Sequence, residues 1–219
     1  MFGKKNLGPL LAIGAVALSL QSCGMISYPI SSSDFDKQAC VKYARGEYQL
    51  ATNDWDQAVK LDPENYKLWW KRSRATMRFD RVQQSVDDAK RAIELLGDKD
   101  PRMLIYLQLQ LAVANATKGD FPAAKEAFAK ALELAQGKVD AAPVYMERGR
   151  VLLLIGDIDG AISDLNSAIA IVPTLGRAYY YRGKAYDAAG NPSNAAADYL
   201  KAKTMNFEAT DNWEPLPID

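Results

Sequence analysis

The feature that most restricts the fold of this chain is an internal repeat. Five segments share one order of residues: Gly or Asp, an apolar residue two positions later, a small residue, a bulky residue in four of the five, and then Ala. The first residues of successive segments are separated by 34, 39, 37 and 34 positions. A chain with this period is expected to stack similar small units on their neighbours rather than fold around one core. The segments begin at Gly46, Asp80, Gly119, Gly156 and Gly190.

A second helical pattern precedes these segments. Bulky, small and bulky residues recur at i, i+4 and i+7, a spacing that places them on one face of a helix. Each repeat is therefore predicted to contain two helices joined by a short turn. Pro63 and Pro173 are predicted to end second helices, because proline lacks the backbone N–H that a helix interior needs. The pattern is clearest at Tyr145/Gly149/Leu152, Tyr179/Gly183/Tyr186 and Trp69/Ser73/Thr76.

Together the two patterns resemble the tetratricopeptide repeat (TPR), a helix–turn–helix unit of about 34 residues. The resemblance covers residues 32–207 and implies an all-α fold, a right-handed α-solenoid of about five repeats. Bulky residues such as Trp55 and Phe128 then fill the space between units, and small ones let paired helices approach. Lys42, Gln108 and Asn115 depart from the pattern, since they occupy buried positions that are usually apolar. The approximate repeats are 32–65, 66–99, 105–138, 142–175 and 176–207, with lengthened loops at 97–101 and 136–143.

Composition argues against most enzyme classes and against nucleic-acid binding. The 219 residues include no His and two Cys, which removes the usual general base and the usual zinc ligands. Twenty-seven basic residues balance 27 acidic ones, whereas a nucleic-acid binder needs a basic footprint. No paired carboxylates, Ser/Lys set or Gly-rich phosphate loop stands in a recognisable catalytic context. We predict no catalytic residue, no metal and no cofactor.

The N-terminus has the pattern of a targeting segment. Lys4 and Lys5 precede an apolar stretch over residues 7–20, which is too short for a comfortable bilayer span but suits a signal peptide. The following Leu-Gln-Ser-Cys, residues 20–23, resembles the lipobox of bacterial lipoproteins, in which the cysteine thiol accepts a diacylglyceryl group. The alternatives are a plain secretory signal, or an anchor helix in which Cys23 has no such role.

If the lipobox resemblance holds, residues 1–22 are removed and Cys23 becomes the lipidated first residue. Several acyl chains would then anchor the protein almost permanently. Residues 23–33, with three consecutive serines, are predicted to form a short tether. Gly24 stands where an Asp retains enterobacterial lipoproteins at the inner membrane, so by that analogy the protein lies at the outer membrane and faces the periplasm.

The TPR resemblance implies a concave face lined by the first helix of each unit. A residue one step beyond each buried position is rotated by about 100° and should face that groove. Arg74, Arg150 and Lys184 occupy the same place in three units, which suits a peptide with acidic groups. Alternatively, these cations are solvated or paired locally. The predicted lining is Asp36, Cys40, Tyr43, Trp70, Arg74, Met77, Leu109, Val113, Ala116, Met146, Arg150, Leu153, Tyr180, Lys184 and Asp187.

The second unit adds a predicted basic patch. Lys67, Lys71, Arg74 and Arg78 follow one another at i, i+4, i+7 and i+11, where like charges repel unless an anionic partner is present. Neighbouring helices offer an equally good alternative, in which the cations pair with Asp54, Asp56, Glu64, Asp87 or Asp88. Cys40, on a groove or packing face, is expected to be an inert thiol.

The C-terminal segment departs from the repeat. Residues 208–219 carry four acidic and no basic residues, and Pro215 and Pro217 prevent a continuing helix. One hypothesis is that Trp213 and the acidic groups fold back on the end of the array or into the basic groove. The other is a disordered terminus.

These features predict a non-enzymatic, lipid-anchored TPR adaptor that binds envelope proteins through its concave groove. The resemblance to other lipid-anchored TPR proteins suggests pilus assembly, docking of cell-wall hydrolases or outer-membrane assembly. A first alternative is a self-associating module in which the groove binds a helix of another copy. A second alternative is a carboxylate-based hydrolase of envelope glycans, but no set of residues in the sequence supports it.

Overall fold

The structure is a computed structural model that describes residues 29–205 and 207. In this part of the chain every regular element is an α-helix, and the predicted all-α fold is confirmed. The described helices belong to one compact unit that starts at residue 31. Cys23 and the acidic segment 208–219 lie outside the described residues. The helices are α1 Ser32–Ala44, α2 Tyr48–Leu61, α3 Tyr66–Thr76, α4 Val82–Leu96, α5 Pro101–Lys118, α6 Phe121–Ala135, α7 Ala141–Leu154, α8 Ile158–Ile171, α9 Gly176–Ala188 and α10 Pro192–Thr204.

Consecutive helices form five antiparallel pairs, which we number as units one to five. The closest packing is within a pair, and the second helix of each unit also packs on the first helix of the next. First helices touch the first helices of neighbouring units, as α3 does with α5 and α7 with α9. This is the stacking expected of an α-solenoid, with the first helices forming one layer. At the boundary between units three and four, α7 packs less closely on α6 than α3 does on α2.

The turn residues that mark the repeat are explained by backbone conformation. Gly46, Gly119, Gly156 and Gly190 have φ values of +78°, +87°, +85° and +73° where the first helix of each unit ends. A left-handed residue there lets the chain turn sharply, and glycine adopts this conformation without steric cost. Asp80 takes the same position in unit two with φ of +65°, a conformation that Asp tolerates better than most residues.

Small and bulky residues pack as the repeat pattern predicts. A Cβ added to Gly149 would lie 2.9 Å from Leu165 Cγ, so only glycine lets α7 approach α8 this closely. In unit two the equivalent pair is Ser73 and Ala89, and the smaller Ala89 leaves room for the serine. Ser73 Oγ donates a hydrogen bond to the Ser85 carbonyl at 2.9 Å. A small residue on the first helix thus meets a bulky one in unit four, and two small residues meet in unit two.

The helix boundaries agree with the proline and capping signals. Pro63 follows the end of α2 at Leu61, and Pro173 follows the end of α8 at Ile171. The Asp120 carboxylate accepts a hydrogen bond from Ala123 N at 3.2 Å at the start of α6. Asn191 caps α10 in the same way. None of the ten described helices combines the length and the apolar character that crossing a bilayer requires.

The polar residues that depart from the repeat have different environments. Gln108 and Asn115 are buried in α5, as predicted. Lys42 is only half-buried, because its ammonium group leaves the helix interface to form an ion pair with Asp54. Val41 beside it is half exposed, so the last turn of α1 departs from the usual register of apolar residues.

Candidate binding surfaces

The predicted concave-face residues of units one and two are packed against one another. Arg74 has an exposed fraction of 1%. Its guanidinium lies over the ring of Tyr43, at 5.7 Å, and over the ring of Trp70, at 5.4 Å. Tyr43 and Trp70 are themselves buried. The expectation that these three side chains are open to a ligand is therefore wrong for the structure described, since stacking of a cation between two aromatic rings fills the space between α1 and α3.

The basic patch is likewise not an open cationic surface. Lys71 is 7% exposed, and its Nζ lies 2.8 Å from Asp36 Oδ2 and 3.6 Å from Cys40 Sγ. Trp55 Nε1 donates to Asp36 Oδ1 at 2.8 Å, so one carboxylate of α1 joins three helices. Pairing within the array, which the sequence left as the alternative, applies to Lys71, although with Asp36 rather than with the carboxylates named for it.

The remaining cations of the basic patch are more exposed than Lys71, and Cys40 lies beside Lys71. Lys67 is exposed, and Arg78 is partly exposed with its guanidinium 5.5 Å from the ring of Tyr48. Burial raises the pKa of the Cys40 thiol, so that it remains protonated and weakly nucleophilic at neutral pH.

Accessible concave-face residues lie mainly towards the C-terminal units. In unit three, Leu109, Val113 and Ala116 are buried, and in unit four Met146 is buried. Met77, Arg150, Leu153 and Tyr180 are partly exposed, while Lys184 and Asp187 are exposed. Arg150 Nε donates to Glu147 Oε2 at 2.8 Å. The Nζ of Lys184 lies 5.6 Å from the centre of the partly exposed Tyr180 ring, which also packs on the rings of Tyr181, Tyr199 and Phe207 at 5.4–5.8 Å.

The structure also contains a repeated charge pair that the sequence analysis missed. An Arg eight residues before the turn residue forms two hydrogen bonds to an Asp eight residues after it, in units two, four and five, with N···O distances of 2.6–2.8 Å. Each guanidinium also lies within 6 Å of the ring three residues before it. Because the Arg and the Asp stand at a constant offset from the turn residue, the pairs could have been found in the sequence. The pairs are Arg72–Asp88, Arg148–Asp164 and Arg182–Asp198.

A third hydrogen bond distinguishes these pairs. Arg72 Nη1 donates to Asp56 at 2.8 Å, and Arg182 Nη1 donates to Asn166 at 2.7 Å. Both acceptors lie ten residues after the turn glycine of the preceding unit. For Arg148 that position holds Ala129, whose side chain has no acceptor. Within residues 29–205 and 207, Arg148 Nη1 has no hydrogen-bond partner.

Beside Arg148 lies a groove of about 710 Å³ between α6, α7 and α8, which we call the α6–α8 groove. It occurs where α7 packs loosely on α6 and where the loop between them, residues 136–140, is one residue longer than the loops after α2 and α8. Phe121 and Ile155 on its rim are 38% and 46% exposed. Its lining is Phe121, Pro122, Ala124, Lys125, Phe128, Arg148, Val151, Leu152, Ile155, Asp157, Gly160, Ser163 and Asp164.

In the described part of the chain, no group of three or more His, Cys, Asp or Glu side chains is placed to hold a metal ion. The lining of the α6–α8 groove is mainly apolar with a few charged groups. Such a surface is suited to binding another molecule.

Comparison with known proteins identifies the repeat. Models of the tetratricopeptide repeat family match residues 37–101, 109–175 and 176–208. The chain is 34% identical over 67 residues to the STIP1 homolog of Dictyostelium discoideum, of which it covers 12%. It is 29% identical over 174 residues to interferon-induced protein with tetratricopeptide repeats 2 of Cricetulus griseus. That match covers 76% of this chain and 35% of the relative, so the chain spans about a third or less of these two proteins.

The fold is also similar to that of a thermophilic TPR protein from Thermus thermophilus. The two structures superpose with a TM-score of 0.66 and 21% sequence identity. The match covers 80% of this chain and 91% of the other. At this identity the comparison bears on the fold.

Proposed function

Because the chain belongs to the tetratricopeptide repeat family, a family of protein-interaction scaffolds, we propose that it is a non-enzymatic adaptor that binds a protein partner at a bacterial membrane. The proposal has two parts, a binding surface in the helical array and a lipid anchor on Cys23. The envelope pathways suggested by the sequence, pilus assembly, hydrolase docking and outer-membrane assembly, are the places to seek the partner.

The observation that carries the binding part is the accessible pair Tyr180 and Lys184 on the concave face of unit five. The ring and the ammonium group are adjacent, and Met77 and Arg150 extend the accessible part of this face towards unit two. An aromatic ring beside a cation favours a peptide that has apolar side chains and acidic groups. Arg74 and Lys71 are less suitable as contacts, because their charged groups already have partners inside the array.

The test is a crosslinked pulldown from cell envelopes with the full chain. A Tyr180→Ala, Lys184→Glu double variant is expected to lose the partner. Because the Tyr180 ring also packs on Tyr181, Tyr199 and Phe207, the helical circular dichroism of the variant has to match that of the wild type. A Lys60→Glu variant provides the control, because it makes the same charge change at an exposed site on α2. Equal capture by wild type and double variant would exclude this part of the concave face.

The anchor part rests on the Leu-Gln-Ser-Cys segment and on the energetics of lipid insertion. Each buried methylene contributes about 0.8 kcal/mol, so several acyl chains hold a protein at a membrane where one chain would exchange. A Cys23→Ser variant is expected to lose incorporation of a labelled fatty acid and to leave the membrane fraction. Cys40→Ser is the matched control, because Cys40 is the remaining thiol. Labelling that persists in Cys23→Ser would exclude lipidation at this residue.

A further inference from the structure

We propose that the α6–α8 groove is a second binding site, for a peptide segment of a partner protein in which a carboxylate is flanked by apolar side chains. The site is separate from the concave face used in the proposed function. Arg148 and Arg150 are two residues apart on α7, so they are rotated by about 200° and point to opposite sides of the helix. The two sites can therefore fail or succeed independently.

The first argument is the missing acceptor at Arg148. In the equivalent positions of units two and five, the guanidinium forms three hydrogen bonds that include an oxygen from the preceding unit. Arg148 lines the groove and keeps 31% of its side chain exposed, and its hydrogen bonds to the described part of the chain are the two to Asp164. A partner carboxylate at the place of that oxygen would complete the arrangement that the other two units show. Hydrogen bonds between charged groups are the stronger ones, so this contact also orients the partner.

The second argument is the pair of donors that the groove leaves for a partner. Asp164 is engaged by Arg148, whereas Asp157 accepts a hydrogen bond from the uncharged Gly160 amide at 3.0 Å. Lys125 is exposed and has no carboxylate within ion-pair distance among the described residues. Arg148 Nη1 and the Lys125 ammonium group are therefore the donors available to a partner, and a carboxylate is a strong acceptor for both.

The third argument is the apolar surface around these cations. Phe128, Val151 and Leu152 form the interior of the groove, and the exposed Phe121 and Ile155 flank its entrance. A volume of about 710 Å³ holds several side chains of a peptide. Apolar residues on both sides of the carboxylate would cover this surface and exclude water from the ion pair, which strengthens it.

The experiment uses the full chain and two pools of short fluorescent peptides. One pool has Glu flanked by Leu, Ile or Phe, and the other has Gln in place of Glu. We expect the Glu pool to bind about tenfold more tightly than the Gln pool. Ala129→Asp supplies the missing oxygen from within the chain and should weaken binding of the Glu pool to the level of the Gln pool. Ile155→Ser should weaken both pools.

Two controls separate this site from general effects. Arg182→Gln breaks the equivalent pair in unit five and should leave peptide binding unchanged, whereas Arg148→Gln should abolish the preference for Glu. The Tyr180→Ala, Lys184→Glu variant should bind both pools like the wild type, since both residues lie in unit five and neither lines the α6–α8 groove. Equal affinity for the two pools, or unchanged binding by Ala129→Asp, would overturn the proposal. Tighter binding after Trp213→Ala would instead assign the groove to the chain's own segment 208–219 and overturn the choice of a partner.

Discussion

The boundary between units one and two and the boundary between units three and four are built from equivalent parts, yet they differ in one hydrogen bond and in how closely the helices pack. At the first boundary, Arg72 joins Asp56 of unit one to Asp88 of unit two. At the other, the hydrogen bonds of Arg148 within the described residues both go to Asp164, and the Ala129 side chain has no oxygen. The comparison shows that two boundaries with the same repeat pattern differ in side-chain pairing and in packing, and that the groove lies at the boundary where α7 packs less closely and Arg148 lacks the third bond.

The largest expected effect on stability comes from removing the Asp residues that pair with Arg72 and Arg148. Asp88→Ala should lower the free energy of unfolding by about 2–3 kcal/mol, because the buried Arg72 loses both hydrogen bonds to Asp88 and keeps the ion pair to Asp56. Asp164→Ala should cost about 1 kcal/mol, because the partly exposed Arg148 can turn to water. Urea titrations followed by circular dichroism measure both. Equal losses would contradict the distinction between the two boundaries, and the exposed Asp87→Ala serves as the control.

The next prediction tests whether unit four itself is tightly packed, so that the looseness lies only between units. Gly149→Ser, which copies Ser73 of unit two, should destabilise the protein by about 2 kcal/mol, because a Cβ there meets Leu165 at 2.9 Å. Combining it with Leu165→Ala should cost at least about 1 kcal/mol less than the sum of the single changes. Thermal unfolding of the four proteins measures this coupling. Strict additivity would mean that α7 moves away from α8 at little cost.

A smaller effect is expected at the third hydrogen bond. Asp56→Ala should cost about 1 kcal/mol, as the loss of a hydrogen bond to a charged group typically does. Ala129→Asp should add a similar amount of stability if Arg148 Nη1 reaches the new carboxylate. Chemical unfolding of the two variants beside the wild type gives both values. Destabilisation by Ala129→Asp would show that α6 lies too far from Arg148 for the two boundaries to be made alike.

The smallest effect concerns the turn of unit two. Asp80→Gly should raise stability by about 0.5–1 kcal/mol, since glycine takes the left-handed conformation that Asp80 holds at φ of +65°. The reciprocal Gly156→Asp should lower stability by a similar amount at the turn of unit four. Calorimetry measures the melting temperature of both variants. A shift of the melting temperature in the same direction for both would show that the two turns are not equivalent.

The helices and their stacking were predictable because they depend on spacing, and spacing is visible in the sequence. Glycine at the turns and the match of Gly149 with Leu165 follow from the same period. The environment of the concave face was not predictable in this way. Arg74 is buried because two aromatic rings of different units meet at it, and Lys71 because Asp36 approaches from 35 residues earlier. Such contacts depend on how far each unit is rotated relative to the next, which the repeat pattern does not specify.

The α6–α8 groove shows a different limit. Arg148, Asp164 and Ala129 each stand at a fixed offset from a turn glycine, so the missing oxygen could have been found by aligning the repeats on their turns. The groove itself depends on how closely α7 packs on α6, and the longer loop 136–140 predicts only that the distance between units can change there.

The loose fit of α7 on α6 also affects how the array comes apart. In a stack of units, cooperativity passes only between neighbours, and it is weakest where two neighbours share the least surface. Under force or heat, units one to three and units four and five should therefore separate as two blocks, each melting as a whole. Amide exchange would then show one protection level on each side of Gln136.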